Sequence, residues 1–304
     1  MQRRDTGLLM AALAALISGV SVFVNGYGVR VWAEVSDPTT YTTLKNAGAA
    51  LILLVTAGLV GRRRSDRAPE VVEPRRNRIG LGVVAVVGGS VPFVLFFEGL
   101  ALATSTDAAF IHKTLVIWVI VLATVLLHER VGLLQLGAVA LLLVGQAVLS
   151  GGVDQVSLGP GEWMILAATI LWAIETVIAK RLLVTVSPPT LAVARMAGGA
   201  ALLIGYGLIR GAFSTLGEVT ALHLGWIALT AVTLACYVWT WYAALSRAPA
   251  VDVTAVLVGG AVITALLETG IRGVELPPVA GLALVATGVV LLMMARARQL
   301  TSGP

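Results

Sequence analysis

Charged residues are scarce in this sequence of 304 residues, since Asp, Glu, Lys and Arg together make up only 12% of it. An average soluble domain contains about twice that fraction. Apolar residues account for 58%, and the mean hydropathy is +0.94. This composition excludes a soluble globular protein. Long apolar runs with 33 glycines are instead typical of a multi-pass helical membrane protein, in which small residues let helices approach closely.

Cysteine and histidine are also rare. The single cysteine, Cys236, lies inside an apolar run, which excludes a disulfide framework and a paired-thiol metal site. The three histidines, His112, His128 and His223, are far apart in the predicted topology. The sequence has no HExxH or GxSxG motif and no glycine loop of the kind that binds phosphate. We therefore expect no catalytic residue, no metal and no cofactor, and an integral membrane enzyme is the less favoured class.

The apolar runs have the lengths of membrane-spanning helices, which need about 20 residues each. Ten runs meet this requirement, and we number them as spans 1 to 10. They cover residues 8–27, 39–60, 79–101, 105–127, 132–150, 160–182, 188–209, 222–246, 250–271 and 277–296. Span 1 follows two arginines, as a signal peptide would, but it is too long and lacks a small-residue cleavage site. We therefore retain it as a span.

Basic residues indicate which loops face the cytoplasm, because cytoplasmic loops retain positive charge. With both termini inside, fifteen Lys and Arg residues fall on the cytoplasmic side, and seven of them are arginines in the loop from Arg62 to Arg78. Lys113 and Arg195 then lie within the membrane, and the opposite side has only Arg30, Lys45, Arg210 and Arg272. The asymmetry predicts a multi-pass protein of the inner (cytoplasmic) membrane. It also explains the net charge of +5 without a nucleic acid partner.

An internal repeat is visible toward the end of each half. FEGLALATSTD (97–107) aligns without gaps with YAALSRAPAVD (242–252), and an aspartate ends both segments. Glycines of span 5, in GAVALLLVG, correspond within a residue or two to glycines of span 10, in GLALVATG. We therefore predict two domains, residues 1–150 and 151–304, each a five-helix repeat. Because five is odd, the second repeat is inverted in the membrane, as in many secondary transporters.

These features resemble the drug/metabolite transporter superfamily, specifically its ten-helix EamA-type exporters. The resemblance is carried by the duplication, by LLHERVGLLQLGAVALLLVG (126–145) and by WAIETVIAKRLL (172–183). It implies an all-α membrane fold and transport of small metabolites, often amino acids, through a cavity lined by spans 1, 3, 4, 6, 8 and 9. The sequence lacks the family's common leucine-proline steps, having His112-Lys113 and Val258-Gly259 there instead, and its second-half glutamate is displaced to Glu275.

Polar side chains form helical stripes on spans 1, 4, 6, 8 and 9, and in lipid such a face must contact protein or water. In span 1, for example, Ser18, Ser21 and Asn25 share one face. Spans 5 and 10 are less polar, which predicts that they face lipid or another subunit. A homodimer through these two spans and packing within one chain both stay open.

The candidate substrate-binding residues lie mostly on the striped faces. They combine charged, aromatic and amide side chains and are Trp172, Glu175, Lys113, Trp118, Tyr237, Trp241, Phe93 and Asn25. A charge inside the bilayer is costly unless it is paired or hydrated. Lys113 therefore anchors a substrate carboxylate, pairs with Glu98 in an outer gate, or extends toward the outer surface. Pro92 permits a kink in span 3, as a gate hinge or as a packing feature.

Four further residues are candidates for gating or coupling, namely Glu98, His112, Arg195 and Glu268. Glu175 and Arg195 each fall about seven residues from the cytoplasmic end of their spans, and this equal depth predicts an ion pair. The pair is either a structural staple or a bridge that opens when Glu175 takes up a proton or a substrate amine. His112 suits proton coupling because an imidazole titrates near neutral pH. Glu268 is a proton site or an interfacial carboxylate.

Three other acidic residues have predicted structural roles. Asp107 and Asp252, which end the two aligned segments, each fall two or three residues into a helix. A carboxylate at such a position stabilises the free amides of the first turn, so we expect helix capping. Glu129 and Arg130 are predicted to stabilise the cytoplasmic end of span 4.

The preferred function is secondary export of a small polar metabolite, an amino acid or a similar zwitterion, across a lipid bilayer. Lys113 and Glu175 would hold its carboxylate and its ammonium. An exporter of organic cations is the alternative, with Glu175 and the tryptophans binding the cation. A non-transporting scaffold would leave the polar stripes without a purpose, and no nucleotide-binding domain is present to drive a pump.

Overall fold

The structure is a computed structural model that describes residues 3–64, 75–103, 105–149, 159–273 and 278–301. Every regular element in these ranges is helical, as expected where lipid forces each backbone polar group to find a partner within its own segment. The helices are α1 (Arg3–Trp32), α2 (Pro38–Arg64), α3 (Arg75–Val87), α4 (Val91–Leu102), α5 (Ser105–Lys113), α6 (Leu115–Leu127), α7 (Leu133–Leu149), α8 (Pro160–Leu182), α9 (Pro188–Val193), α10 (Gly199–Arg210), α11 (Ala221–Leu245), α12 (Ala250–Val258), α13 (Gly260–Arg272) and α14 (Val279–Thr301). A π-helical turn, Ala194–Gly198, joins α9 to α10, and a 3-10 turn, Leu216–Glu218, precedes α11.

Eight stretches of helix are long and apolar enough to cross a membrane. Four of them consist of α1, α2, α8 and α11, and the other four combine consecutive helices: α3 with α4, α5 with α6, α9 with α10, and α12 with α13. α7 and α14 supply two shorter apolar segments, Leu133–Leu149 and Val279–Leu292, where spans 5 and 10 were predicted. The middle of the predicted loop from Arg62 to Arg78 lies outside the described residues.

Three of the spans are interrupted within the apolar region. α3 and α4 are separated by a turn at residues 88–90, and Pro92 lies in the first turn of α4, where a missing amide proton costs little. Span 3 is thus interrupted just before Pro92, the residue that permits a kink there. Spans 4 and 9, predicted as continuous, are broken at Thr114 and Gly259. Each break lies at or directly after a position where the sequence lacks the leucine-proline step common in the resembling family. The helices are therefore interrupted there without a proline.

The ends of the helices gather in two groups. In one group, Lys180 Nζ donates a hydrogen bond of 2.6 Å to the carbonyl of Ala248. In the other group, Trp32 Nε1 donates to the carbonyl of His223 at 3.2 Å, and Thr40 Oγ1 donates to the carbonyl of Ala212 at 2.8 Å. These contacts join ends that alternating membrane crossings would bring to the same side.

α7 and α14 pack against each other through their glycines. A Cβ on Gly145 would meet Val285 and the backbone of Gly281, and a Cβ on Gly288 would meet Leu142. Of the two alternatives left open for these spans, the structure shows packing within one chain. The small residues allow a close contact within one chain, as they commonly do between membrane helices.

The hydroxyl groups of the predicted polar stripes are buried and bonded to their own helices. Thr169, Thr176 and Thr230 are at most 1% exposed, and each donates to the carbonyl four residues earlier at 2.7–2.8 Å. This back-bonding satisfies the hydroxyl without a second helix or water. Ser21 and Thr233 add a link between α1 and α11, with their oxygens 3.5 Å apart. The stripes thus mark helix faces that pack against protein.

Candidate functional site

A buried pair of opposite charges connects α8 to the π-helical turn. Glu175 is 1% exposed and Arg195 is 6% exposed, and Arg195 Nη1 lies 3.8 Å from Glu175 Oε2. The predicted ion pair is present. Glu175 Oε1 also accepts a hydrogen bond of 2.5 Å from the hydroxyl of Tyr242 on α11, a residue that the sequence analysis missed. The guanidinium carbon of Arg195 lies 5.9 Å from the centre of the Tyr242 ring. Each charge therefore has a partner where an unpaired one would be costly.

The carbonyl of Gly88 is a second acceptor for Arg195. It lies in the break between α3 and α4, and Arg195 Nε donates to it at 3.2 Å. Trp172 Nε1 donates to the same oxygen at 3.1 Å. A Cβ on Gly88 would collide with Glu175 Cγ, so the site requires glycine there. An interrupted helix thus places a backbone polar group in the protein interior, where neighbouring helices satisfy it.

Trp172 lies at the centre of an aromatic cluster beside the ion pair. The centre of its indole is 5.4 Å from the ring of Phe93, 5.5 Å from that of Phe96 and 5.1 Å from that of His112. Among the described residues, His112 Nδ1 and Trp118 Nε1 are buried without a hydrogen-bond partner. Buried polar atoms normally have partners. Both atoms are therefore available to a ligand or to water.

Lys113 and Glu98 do not form the predicted pair. Glu98 instead accepts a hydrogen bond of 2.8 Å from Thr39 Oγ1, which links α4 to α2. Within the ranges that the structure describes, the half-buried Lys113 has neither a carboxylate at ion-pair distance nor a hydrogen-bond acceptor. The contact between Lys113 and Glu98 that an outer gate would need is thus not made in this structure.

Lys45 is not the charge at the outer surface that the sequence analysis predicted. It is 4% exposed, and its ammonium donates to Asn25 Oδ1 at 3.1 Å. The same nitrogen lies 4.5 Å from the centre of the Phe97 ring and 5.2 Å from that of Tyr41. Its place seven residues after Pro38, in the first part of α2, is the reason that it was counted with the outer charges. The dense polar run from residue 39 to residue 46 is the signal that could have corrected this.

The remaining predicted residues lie outside the group formed by the ion pair and the aromatic cluster. Asn25 also accepts from the Tyr41 hydroxyl at 3.0 Å, so it joins α1 to α2. The rings of Tyr237 and Trp241 stack with their centres 6.0 Å apart, and Trp241 is 2% exposed. Glu268 is half-buried on α13. The contacts therefore unite Trp172, Glu175, Arg195, Phe93 and His112, and do not include the other candidates.

Comparison with known proteins agrees with this architecture. The sequence model of the EamA-like transporter family matches residues 5–151 and, a second time, residues 159–294. The chain belongs to the EamA-like transporter family. A solved structure, described only as a crystal structure of a protein, covers 98% of this chain and 100% of its own length, with a TM-score of 0.74 and 17% identity. Its likeness shows the fold alone, and no curated protein sequence matches the chain.

Membership of the EamA-like family makes this chain a membrane transporter of the drug/metabolite superfamily, since the family contains transporters and not enzymes. The two matches give it a two-repeat architecture. Gly88 lies in the first matched segment, and Trp172, Glu175, Arg195 and Tyr242 lie in the second. The site is therefore built at the contact between the two EamA repeats.

A second contact between the EamA repeats caps α12. The two carboxylate oxygens of Glu129 accept from the amides of Ala250 and Val251, at 2.9 and 3.2 Å. Asp252 lies in the first turn of α12 as predicted, but its Oδ1 accepts from Gln135 Nε2 at 2.8 Å. Glu129 therefore supplies the carboxylate that accepts from the amides of the first turn of α12, because the end of α6 lies next to the start of α12. Glu275 lies outside the described residues.

Proposed function

We propose that this EamA-like protein is a secondary active exporter of a small polar organic metabolite, and that an amino acid or a similar zwitterion is its preferred substrate. Ten membrane spans, including α7 and α14 as spans 5 and 10, form two inverted five-helix repeats, residues 1–150 and 151–304. Both termini lie on the cytoplasmic side of the inner membrane. Transport follows alternating access between the repeats, without a bound cofactor. Glu175 and His112 are the candidates for proton coupling.

The observation that carries the zwitterion proposal is a pair of opposite charges, each close in sequence to a residue of the aromatic cluster. His112 contacts Trp172, and Lys113, which has no carboxylate partner in the described structure, is the next residue. Glu175 follows Trp172 by three residues, about one helical turn. A substrate carboxylate at Lys113 and an ammonium at Glu175 would leave the substrate side chain against the rings of the cluster.

The looseness of the ion pair supports a switching role for Glu175. The nitrogen and oxygen that face each other are 3.8 Å apart, which is longer than a direct hydrogen bond. A substrate ammonium or a proton competes with Arg195 for this carboxylate. Arg195 retains the carbonyl of Gly88 as an acceptor when the carboxylate is released.

The experiment that tests the proposal is a thermal-unfolding screen of the purified protein in detergent against amino acids, amines, organic cations, nucleosides and sugars. A ligand that binds the folded state raises the apparent stability. We expect zwitterionic amino acids to raise the unfolding temperature and the Lys113→Ala variant to lose this response. The absence of any response to amino acids in the wild type would contradict the proposal.

An exporter of organic cations is the second candidate. It is favoured by the rings of Phe93 and Phe96, whose centres lie within 5.5 Å of the Trp172 indole. Glu175 lies about one helical turn after Trp172 on the same helix. Aromatic faces and a carboxylate together bind quaternary and protonated amines. In that case cations alone would stabilise the protein, Glu175→Gln would remove the effect, and Lys113→Ala would leave it unchanged.

A further inference from the structure

α2 carries a second group of buried polar atoms, away from the ion pair. Asn46 is fully buried, and both its amide nitrogen and its amide oxygen lack a hydrogen-bond partner among the described residues. The hydroxyl of Thr42, 1% exposed, is likewise unpartnered there. An amide and a hydroxyl that give up water without gaining a partner are costly to bury. Their presence side by side indicates that something else completes this site.

The ammonium of Lys45 is adjacent to these groups in the sequence and is also incompletely bonded. An ammonium has three N–H donors, and the hydrogen bond to Asn25 Oδ1 uses one of them. The other neighbours of Nζ are the rings of Tyr41 and Phe97. No carboxylate lies at ion-pair distance from Lys45 in the part of the chain that is described. The site therefore has a positive charge whose counter-charge the described protein does not supply.

The spacing of these residues suits a single small ligand. Thr42 and Asn46 are four residues apart and lie one above the other on α2. Lys45 is between them in the sequence and lies one turn from Thr42. An ammonium, an amide N–H and a hydroxyl are all donors, and together they match the acceptor oxygens of a carboxylate or a bare halide ion.

We propose that Lys45, Asn46 and Thr42 form an anion subsite on α2, which binds either a carboxylate of the transported solute or a free chloride ion. Span 2, which is α2, is not among the cavity-lining spans that the EamA resemblance implies. The first source rests on the proposed transport of an amino-acid-like solute, and the second is independent of it. With Lys113 as the other anchor, a solute that uses both subsites has two carboxylates, as aspartate and glutamate do.

The test is thermal unfolding of the full-length protein in detergent, in chloride-free gluconate buffer. Aspartate is compared with asparagine, glutamate with glutamine, and chloride with gluconate, each as a titration. We expect at least one of these anions to stabilise the wild type, with its apparent Kd raised tenfold or more in Lys45→Met and less in Lys45→Arg. Aspartate acting beyond asparagine identifies the solute carboxylate, and chloride acting alone identifies the free ion.

Two further variants keep the test decisive. Asn46→Leu removes only the unpartnered amide, so it tests the site even if Lys45→Met does not fold. Arg210→Met removes an exposed charge at the end of α10 and should leave every anion response unchanged. Equal anion responses in the wild type, Lys45→Met and Asn46→Leu would overturn the subsite. If neutral amino acids still stabilise the protein through Lys113 in that case, the proposed function stands without the subsite. If chloride stabilises the wild type, Lys45→Met and Asn46→Leu weaken that effect and no amino acid stabilises the protein, the subsite stands and the proposed function is contradicted.

Discussion

Glu175 and Tyr242 meet where α8 packs against α11, with the tyrosine hydroxyl 2.5 Å from Oε1 of the carboxylate. The other carboxylate oxygen faces Arg195. All three residues belong to the second EamA repeat, but Arg195 also holds the carbonyl of Gly88, which belongs to the first. A movement of one repeat against the other must therefore stretch or break this network. Alternating access as proposed above would therefore link the stability of this network to transport.

Glu175→Gln tests whether the ion pair does more than hold the helices together. Removal of one partner leaves Arg195 buried without a counter-charge, which destabilises a protein by about 3–5 kcal/mol. We expect a lower unfolding temperature and a loss of export. In the double variant Glu175→Met with Arg195→Met, stability should recover and export should not. Recovery of both would show that the pair is only a structural staple.

Gly88→Ala tests the interrupted helix. The new methyl group collides with Glu175 Cγ, so either the helix break or the carboxylate must move. We expect a destabilisation of about 1–3 kcal/mol, the range for overpacking a filled interior, together with weaker ligand binding. Gly82→Ala is the matched control on α3, because a Cβ there meets no atom within 4 Å. Equal behaviour of the two variants in thermal unfolding and in ligand titration would contradict the role of Gly88.

Trp172→Phe removes the donor that Trp172 offers to Gly88 while it keeps an aromatic ring in the cluster. The lost hydrogen bond is worth about 0.5–1.5 kcal/mol, so stability should fall by a small amount. Ligand affinity should fall more, since the indole orients both the freed carbonyl and the cluster. Trp163→Phe is the control, because Trp163 lies on the same helix and is 56% exposed. Unchanged affinity in Trp172→Phe would remove this residue from the binding site.

Much of the helical layout could be predicted from the sequence because it depends on local hydrophobicity. Apolar length located the helices to within a few residues, and Pro92 indicated the break in span 3. The pairing of Glu175 with Arg195 followed from their equal depth, because a helix rises by a fixed 1.5 Å per residue. These are properties that each segment carries by itself.

The missed parts of the site depend on how separate helices meet. Gly88 acts through its backbone carbonyl, which has no side-chain signature in the sequence. The contact of Tyr242 with Glu175 depends on the packing of α11 against α8, which the sequence of α11 alone does not indicate. Lys45 was counted with the charges of the outer side because it lies near the outer end of span 2. Its burial follows from the contacts of α2 with α1 and α4, which the order of residues does not specify.

Glu129→Ala tests the cap on α12. Loss of an N-terminal cap costs about 0.5–2 kcal/mol, and two amides, those of Ala250 and Val251, would lose their acceptor here. We expect a lower unfolding temperature with ligand affinity at the aromatic cluster retained. Glu218→Ala, at an exposed position of the 3-10 turn, is the control and should unfold as the wild type does. Equal stabilities would mean that the cap contributes nothing measurable.

Cysteine labelling tests the proposed orientation of the repeats in the membrane. After replacement of the exposed Cys236 by serine, single cysteines are placed at Ser214, in the connection between α10 and α11, and at Val184, which follows α8 and is 83% exposed. The excess of basic residues predicts that the first position is outside and the second inside. A membrane-impermeant maleimide added to intact cells should therefore label the Ser214→Cys variant, and it should label the Val184→Cys variant only after permeabilisation. The opposite pattern would reverse the orientation of both repeats, and labelling of both positions in intact cells would show that one connection does not lie where the alternating crossings require.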